Sequence, residues 1–249
     1  MLTIGQERSA PTEINVGQDV RALTFTANGE YLATGDDSKG VEMWRVKDGK
    51  QVARVETGYV RSLAASKDGK WIAVGASRGI FVWNAETYEV VEYGEGEYVR
   101  AVDFSPDSRL VAGMGNKKAT IWDLATGKRV QTLYHQDYLI AGKYSPRGFR
   151  IATATDNGTV GVWDSNDGRL LVDIDVKVIP WYNAGLLWSN NRLFVVSYKA
   201  IEEFDASTGS KVSGWSVPDA SSEACIALPK HEQFIAFSAN RTVTSRPPT

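Results

Sequence analysis

Four tryptophans, Trp44, Trp83, Trp122 and Trp163, fall 39, 39 and 41 residues apart. Another step of 41 reaches Phe204, in IEEFDASTGS. A second anchor keeps the same period: DVRALTF from Asp19, YVRSLAA from Tyr59, YVRAVDF from Tyr98 and YLIAGKY from Tyr138 recur at steps of 40, 39 and 40. A fixed period of this length restricts the chain to an array of like units, each too small to bury a core alone.

Each unit reads as four short strands. The first is of the VRALTF type, and a turn follows it: ANGE, KDGK, PDSR or PRGF. The second is YLATG, WIAVG, LVAGM or RIATA, and the third ends on the tryptophan. A second turn (VKDGK, LATGK, SNDGR) leads to a fourth strand such as QVARV, RVQTL or LLVDI. Runs of β-branched and aromatic residues between Gly, Asn, Asp and Pro turns are the strand signal. No stretch shows a helical period. The first two strands are apolar on both faces, so each sheet needs a neighbour on either side. Stacking such sheets in a ring supplies those neighbours and leaves only short edges, which predicts an all-β fold, a β-propeller of four-stranded antiparallel blades.

The phrases VDFSPDSRLVAGMGNKKATIWDLATGKRVQTL and GKYSPRGFRIATATDNGTVGVWDSNDGRLLVDI resemble WD40 repeats. The resemblance is strong over 98–177, good over 19–97 and weak over 178–246. It implies a propeller scaffold that gathers other proteins. It also implies a buried set of a histidine, a Ser or Thr, an aspartate and the tryptophan in each blade. One unit approaches that set, with His135, Thr153, Asn157 in the aspartate slot, and Trp163. In the other units Val16, Glu56 or Glu95 fills the histidine slot, and Ser38, Ser77 or Asn116 fills the aspartate slot. Those blades are expected to rest on apolar packing around Trp44, Trp83 and Trp122.

The expected organisation is an N-terminal extension (1–11), one propeller (12–246) and a tail (247–249). The repeats run 19–58, 59–97, 98–136, 137–177, 178–217 and 218–246. Residues 12–16, TEINV, read as an outermost strand without a blade, while 218–246 supplies three strands and lacks a fourth. Pairing of Thr12–Val16 with Arg241–Ser245 would then complete a sixth blade and leave a monomer without free sheet edges. The other reading is a fragment of a longer, multi-blade protein.

A net charge of -2 gives no basic face for nucleic acid. No window approaches the roughly 20 apolar residues of a membrane helix, and the N-terminus lacks a signal-peptide core. A cytoplasmic location is expected, with a nuclear one left open. The single cysteine, Cys225, excludes an intrachain disulfide and lies in the apolar run ACIAL, which suits a buried thiol. Two histidines, His135 and His231, and one cysteine offer no metal-ligand spacing, and no phosphate loop or nucleophile elbow occurs. No cofactor, metal or catalytic residue is expected.

One repeat slot stands out. Just before the first strand stand Tyr59, Tyr98 and Tyr138, and in the fifth unit Tyr182 beside Trp181. Two positions beyond the slot, three units carry Arg21, Arg61 and Arg100. Tyr, Trp and Arg dominate binding hot spots. The slot therefore reads as a face for a peptide or protein partner, with some preference for acidic or phosphorylated groups. The competing reading is packing between blades. A different class of function, a propeller enzyme or small-ligand binder using the central channel, would need convergent acids and bases that the sequence does not display.

Overall fold

The structure is a computed structural model of the 249-residue chain. It describes all residues except 1, 7–8, 15, 17–18, 39, 95, 177–184, 198–199, 217–224, 228–234, 240–241 and 247–249. Trp181, Tyr182 and His231 lie outside the described residues. Cys225 is described only by its place in a strand. The chain divides into two compact units, residues 1–115 with 121–130, and residues 116–120 with 131–249.

Every described element is a strand. β1 (Leu2–Gln6) and β2 (Ser9–Ile14) form a two-stranded sheet. Five four-stranded sheets follow, each an antiparallel meander in chain order. The first holds β3 (Ala22–Phe25), β4 (Tyr31–Gly35), β5 (Val41–Arg45) and β6 (Lys50–Val55). The second holds β7 (Val60–Ala65), β8 (Trp71–Ala76), β9 (Gly79–Asn84) and β10 (Val90–Tyr93). The third holds β11 (Val99–Phe104), β12 (Leu110–Gly115), β13 (Lys118–Asp123) and β14 (Arg129–Tyr134). The fourth holds β15 (Leu139–Tyr144), β16 (Arg150–Thr155), β17 (Thr159–Asp164) and β18 (Leu170–Asp175). The fifth holds β19 (Leu186–Ser189), β20 (Arg192–Ser197), β21 (Ala200–Asp205) and β22 (Lys211–Ser216). A three-stranded sheet ends the chain: β23 (Cys225–Ala227), β24 (Ile235–Ala239) and β25 (Thr242–Arg246).

The tryptophan period becomes a register. Trp44 lies opposite Leu32, Trp83 opposite Ile72 and Trp163 opposite Ile151, each pairing the third strand with the second. Phe204 takes the same place opposite Leu193 in the fifth sheet. Trp83 is fully buried among Ala33, Met43, Ile72 and Val74. The residue after the aromatic shapes the next turn. Asp164 and Asp205 each accept two backbone N–H bonds from residues two and three further on, and Asn84 does the same with its amide oxygen. These bonds hold the Asp164 and Asp205 carboxyls below the ordinary aspartate value.

The expected pairing of Thr12–Val16 with Arg241–Ser245 involves residues 15 and 241, which lie outside the described residues. Leu2–Gln6, read from the sequence as part of an extension, pairs with Ser9–Ile14, and the last sheet has three strands among the described residues. A hairpin separated by two residues closes with far less loop entropy than a contact spanning the chain. Ile14 and Val16 are buried against Leu32, Trp44 and Val46 of the first sheet.

Close approach fixes one glycine. Gly115 pairs with Val99, and a side-chain carbon at 115 would run into the carbonyl oxygen of Tyr98. Gly115→Ala is expected to destabilise the chain by about 1–3 kcal/mol, because the strand must shift to make room. A thermal melt unchanged from wild type would refute this.

Candidate functional site

The slot singled out in the sequence sits at the start of the first strand in the second, third and fourth sheets, and a repeated irregularity shapes it. Val60 pairs with Ala76 and Ser62 with Gly75, so Arg61 is an extra residue in β7. Val99 pairs with Gly115 and Ala101 with Met114, which leaves Arg100 extra in β11. Leu139 and Ala141 flank Ile140 in β15 in the same way. Such bulges bend a strand and re-aim the side chain they carry. The residue before each strand is also placed alike: the carbonyls of Tyr59 and Tyr138 accept the N–H of Ser77 and of Asp156, both at 3.0 Å.

In the first unit these side chains join into one network. Arg21 donates from Nε to Oδ2 of Asp37 at 2.6 Å, and Arg61 Nη1 lies 3.5 Å from the other oxygen of the same carboxylate. Arg61 also donates from Nε to the Tyr98 hydroxyl at 2.7 Å. The guanidinium of Arg100 stands over the Tyr98 ring, 5.6 Å from its centre. The order Arg21, Asp37, Arg61, Tyr98, Arg100 is thus continuous. Its ion pairs are exposed, and such pairs contribute little to stability, about 0–1 kcal/mol. Tyr59 is 54% exposed and Tyr98 half-buried.

Asp37 was not among the residues the sequence singled out. Its only signal is an acidic residue in GDDS after the second strand, where the matching residues are Ser77, Asn116 and Asp156. Its role arises because β3 and β7 begin side by side. It also changes the electrostatics, since two of the three arginines already share a carboxylate. An anionic partner has to compete with Asp37.

In the second unit Tyr138 is exposed, with the Lys117 ammonium 5.5 Å from its ring centre. Here Ile140 fills the bulge and packs on the apolar core.

The polar set expected in the fourth sheet is only partly joined. Trp163 Nε1 donates to Thr153 Oγ1 at 2.8 Å. Asn157 donates to Asp137 at 2.6 Å and accepts from the Thr155 hydroxyl at 2.6 Å. His135 packs edge-on against Trp163, with ring centres 4.7 Å apart, and its Nε2 has no hydrogen-bond partner. Burial lowers the His135 pKa to about 4. His135, Asp137, Thr155, Asn157 and Trp163, with Tyr134 and Asp173, line a pocket of about 300 Å³. Outside that unit, Trp44 Nε1 donates to Thr34 Oγ1 at 2.9 Å, a pair the sequence reading missed. Among the described residues no group of three or more His, Cys, Asp or Glu side chains is arranged to hold a metal ion.

Comparison with known proteins bears on this arrangement. The family model described as "WD domain, G-beta repeat" matches residues 12–45, 49–84, 89–123 and 127–164, more than half of the chain. No curated protein matches the sequence. Among matching solved structures is Kuenenia stuttgartiensis hydrazine synthase, with a TM-score of 0.77 at 15% identity over 91% of this chain and 76% of that chain. At that identity the likeness concerns the fold alone.

Proposed function

This chain belongs to the WD40 repeat family, and from that premise we propose that it is a non-catalytic scaffold holding a peptide or protein partner where its inner strands begin. WD40 propellers generally mediate protein interactions. The observation that carries the finer reading is the network built on bulged positions: Arg61 and Arg100 are extra to the ladder, and Tyr98 links them. Residues placed outside the ladder contribute little to pairing and present donors and an aromatic face to solvent. Tyrosine and arginine give large contact area with little entropy to lose. The shared Asp37 makes the face polar rather than strongly cationic, so the partner is a mixed polar and aromatic segment, with acidic groups favoured once they displace Asp37.

The test is a double variant, Tyr98→Ser with Arg100→Gln, compared with wild type in affinity capture and in thermal melting. We expect captured partners to be lost while the melting temperature moves by no more than about 2 °C, the shift roughly 1 kcal/mol gives in a chain this size. Partners retained, or a melting temperature lowered by about 8 °C or more, would make the slot a packing feature.

A further inference from the structure

We infer that a pocket beside the β15–β16 turn binds a carboxylate or phosphate group carried on an apolar body. The pocket measures about 460 Å³ and is lined by Ser145, Arg147, Phe149, Arg150, Trp188 and two asparagines, with no acidic residue among the described residues. That volume lies within the range of small-molecule sites, roughly 300–1,000 Å³.

The repeats supply an internal comparison. In the first three sheets the turn between first and second strands is built in one way. The hydroxyl of Thr26 donates to Asn28 at 2.7 Å, that of Ser66 to Asp68 at 2.6 Å, and that of Ser105 to Asp107. The same acceptor oxygens take the N–H of Glu30, Lys70 and Arg109. The fourth turn keeps the backbone bond, Gly148 N–H to Ser145 carbonyl at 2.9 Å, which matches Gly29 to Thr26 and Gly69 to Ser66. Its side chains depart at three positions. Arg147 stands where the acceptor belongs. Phe149 replaces Glu30, Lys70 and Arg109. Arg150 replaces Tyr31, Trp71 and Leu110.

All three departures face one pocket, and the turn does not require them. Arg147 removes the acceptor that three other turns use, and it makes no hydrogen bond or ion pair among the described residues. Phe149 is 64% exposed, an aromatic where the repeat is otherwise charged. Arg150 is fixed by neutral partners: its Nη1 donates to Asn191 Oδ1 at 3.4 Å, Ala206 carbonyl at 3.2 Å and Ser207 Oγ at 3.4 Å. The nearest acid in that network, Asp205, is not a direct partner of Arg150: it takes the amide of Asn191 at 3.1 Å and the backbone N–H of Ser207 at 2.8 Å. Trp188 is anchored by its Nε1 bond to the Lys143 carbonyl at 3.1 Å and closes the apolar side. One free guanidinium and one held by neutral acceptors suit a planar or tetrahedral anion. Phe149 and Trp188 suit the apolar body attached to it.

The experiment titrates the full chain with N-acetylphenylalanine, phenyl phosphate and the neutral N-acetylphenylalaninamide, following the Trp188 indole N–H by NMR. At least one anion is expected to bind saturably, about tenfold or more tighter than the amide, because a charge-assisted bond is lost with the amide. The two anions distinguish a carboxylate source from a phosphate source. Arg147→Gln is expected to weaken the anion about tenfold. Arg147→Asp with Phe149→Lys rebuilds the second repeat's turn and should abolish binding at an unchanged or higher melting temperature. Equal binding of the amide, no saturable shift with either anion, or anion binding retained in Arg147→Gln would each overturn the proposal.

Discussion

Trp83→Ala is expected to destabilise the chain by about 3–5 kcal/mol, the range for deleting a fully buried tryptophan. The indole is enclosed by the first and second sheets, and no small residue can fill its volume. The more discriminating variant is Trp83→Phe. Trp83 Nε1 is buried without an acceptor, whereas Trp44 Nε1 donates to Thr34. The reason lies two residues beyond the tryptophan's partner in the second strand, on the same face: Thr34 and Thr153 stand there for Trp44 and Trp163, and Val74 stands there for Trp83. Phenylalanine at 83 removes an orphan donor along with the packing. At 44 it removes the packing and leaves Thr34 without its donor. Trp44→Phe should therefore cost about 1–2 kcal/mol more than Trp83→Phe. Val74→Thr should stabilise by roughly 1 kcal/mol by supplying the acceptor. Urea midpoints at constant slope measure all three, and a larger loss for Trp83→Phe than for Trp44→Phe would contradict the account.

Acid should weaken the fold in a window set by His135. Burial lowers its pKa from 6.5 to about 4 in the folded chain. Between those values the unfolded chain binds a proton that the folded chain refuses, so stability rises with pH across the window. It is complete above pH 6.5 and has fallen by about 3 kcal/mol at pH 4. His135→Phe should flatten that slope. The turn aspartates act lower. Asp123, Asp164 and Asp205 are held below their ordinary value by backbone N–H groups, so their contribution is lost only as pH falls below about 3.8. Stability curves at pH 7, 5 and 4 for the two proteins separate the effects. An unchanged slope in the variant would assign the acid sensitivity elsewhere.

The sheets were readable from the sequence because each needs a large aromatic at one register position, and that demand repeats at a visible interval. Phe204 could be aligned without a tryptophan for the same reason. The Tyr and Arg slot was equally visible. Its bulge was not, because an extra residue in one strand shifts pairing without changing composition. Asp37 escaped notice because its importance comes from two strands of different repeats beginning close together. The four turns ANGE, KDGK, PDSR and PRGF were legible as turns. What separates the last from the others is a missing acceptor, and that becomes apparent only once the hydroxyl bonds of the first three are known. The strand Leu2–Gln6 was not legible, because nothing in MLTIGQ marks it apart from an extension until it is seen paired with Ser9–Ile14.

The bulges at Arg61 and Arg100 carry a consequence for engineering. Both residues lie outside the pairing of their strands, so their identity is uncoupled from the ladder that builds each sheet. Randomising positions 61 and 100 together would yield a library of chains sharing one backbone and differing in recognition chemistry. Selection from that library would sample new specificities with little of the stability loss that usually limits directed evolution.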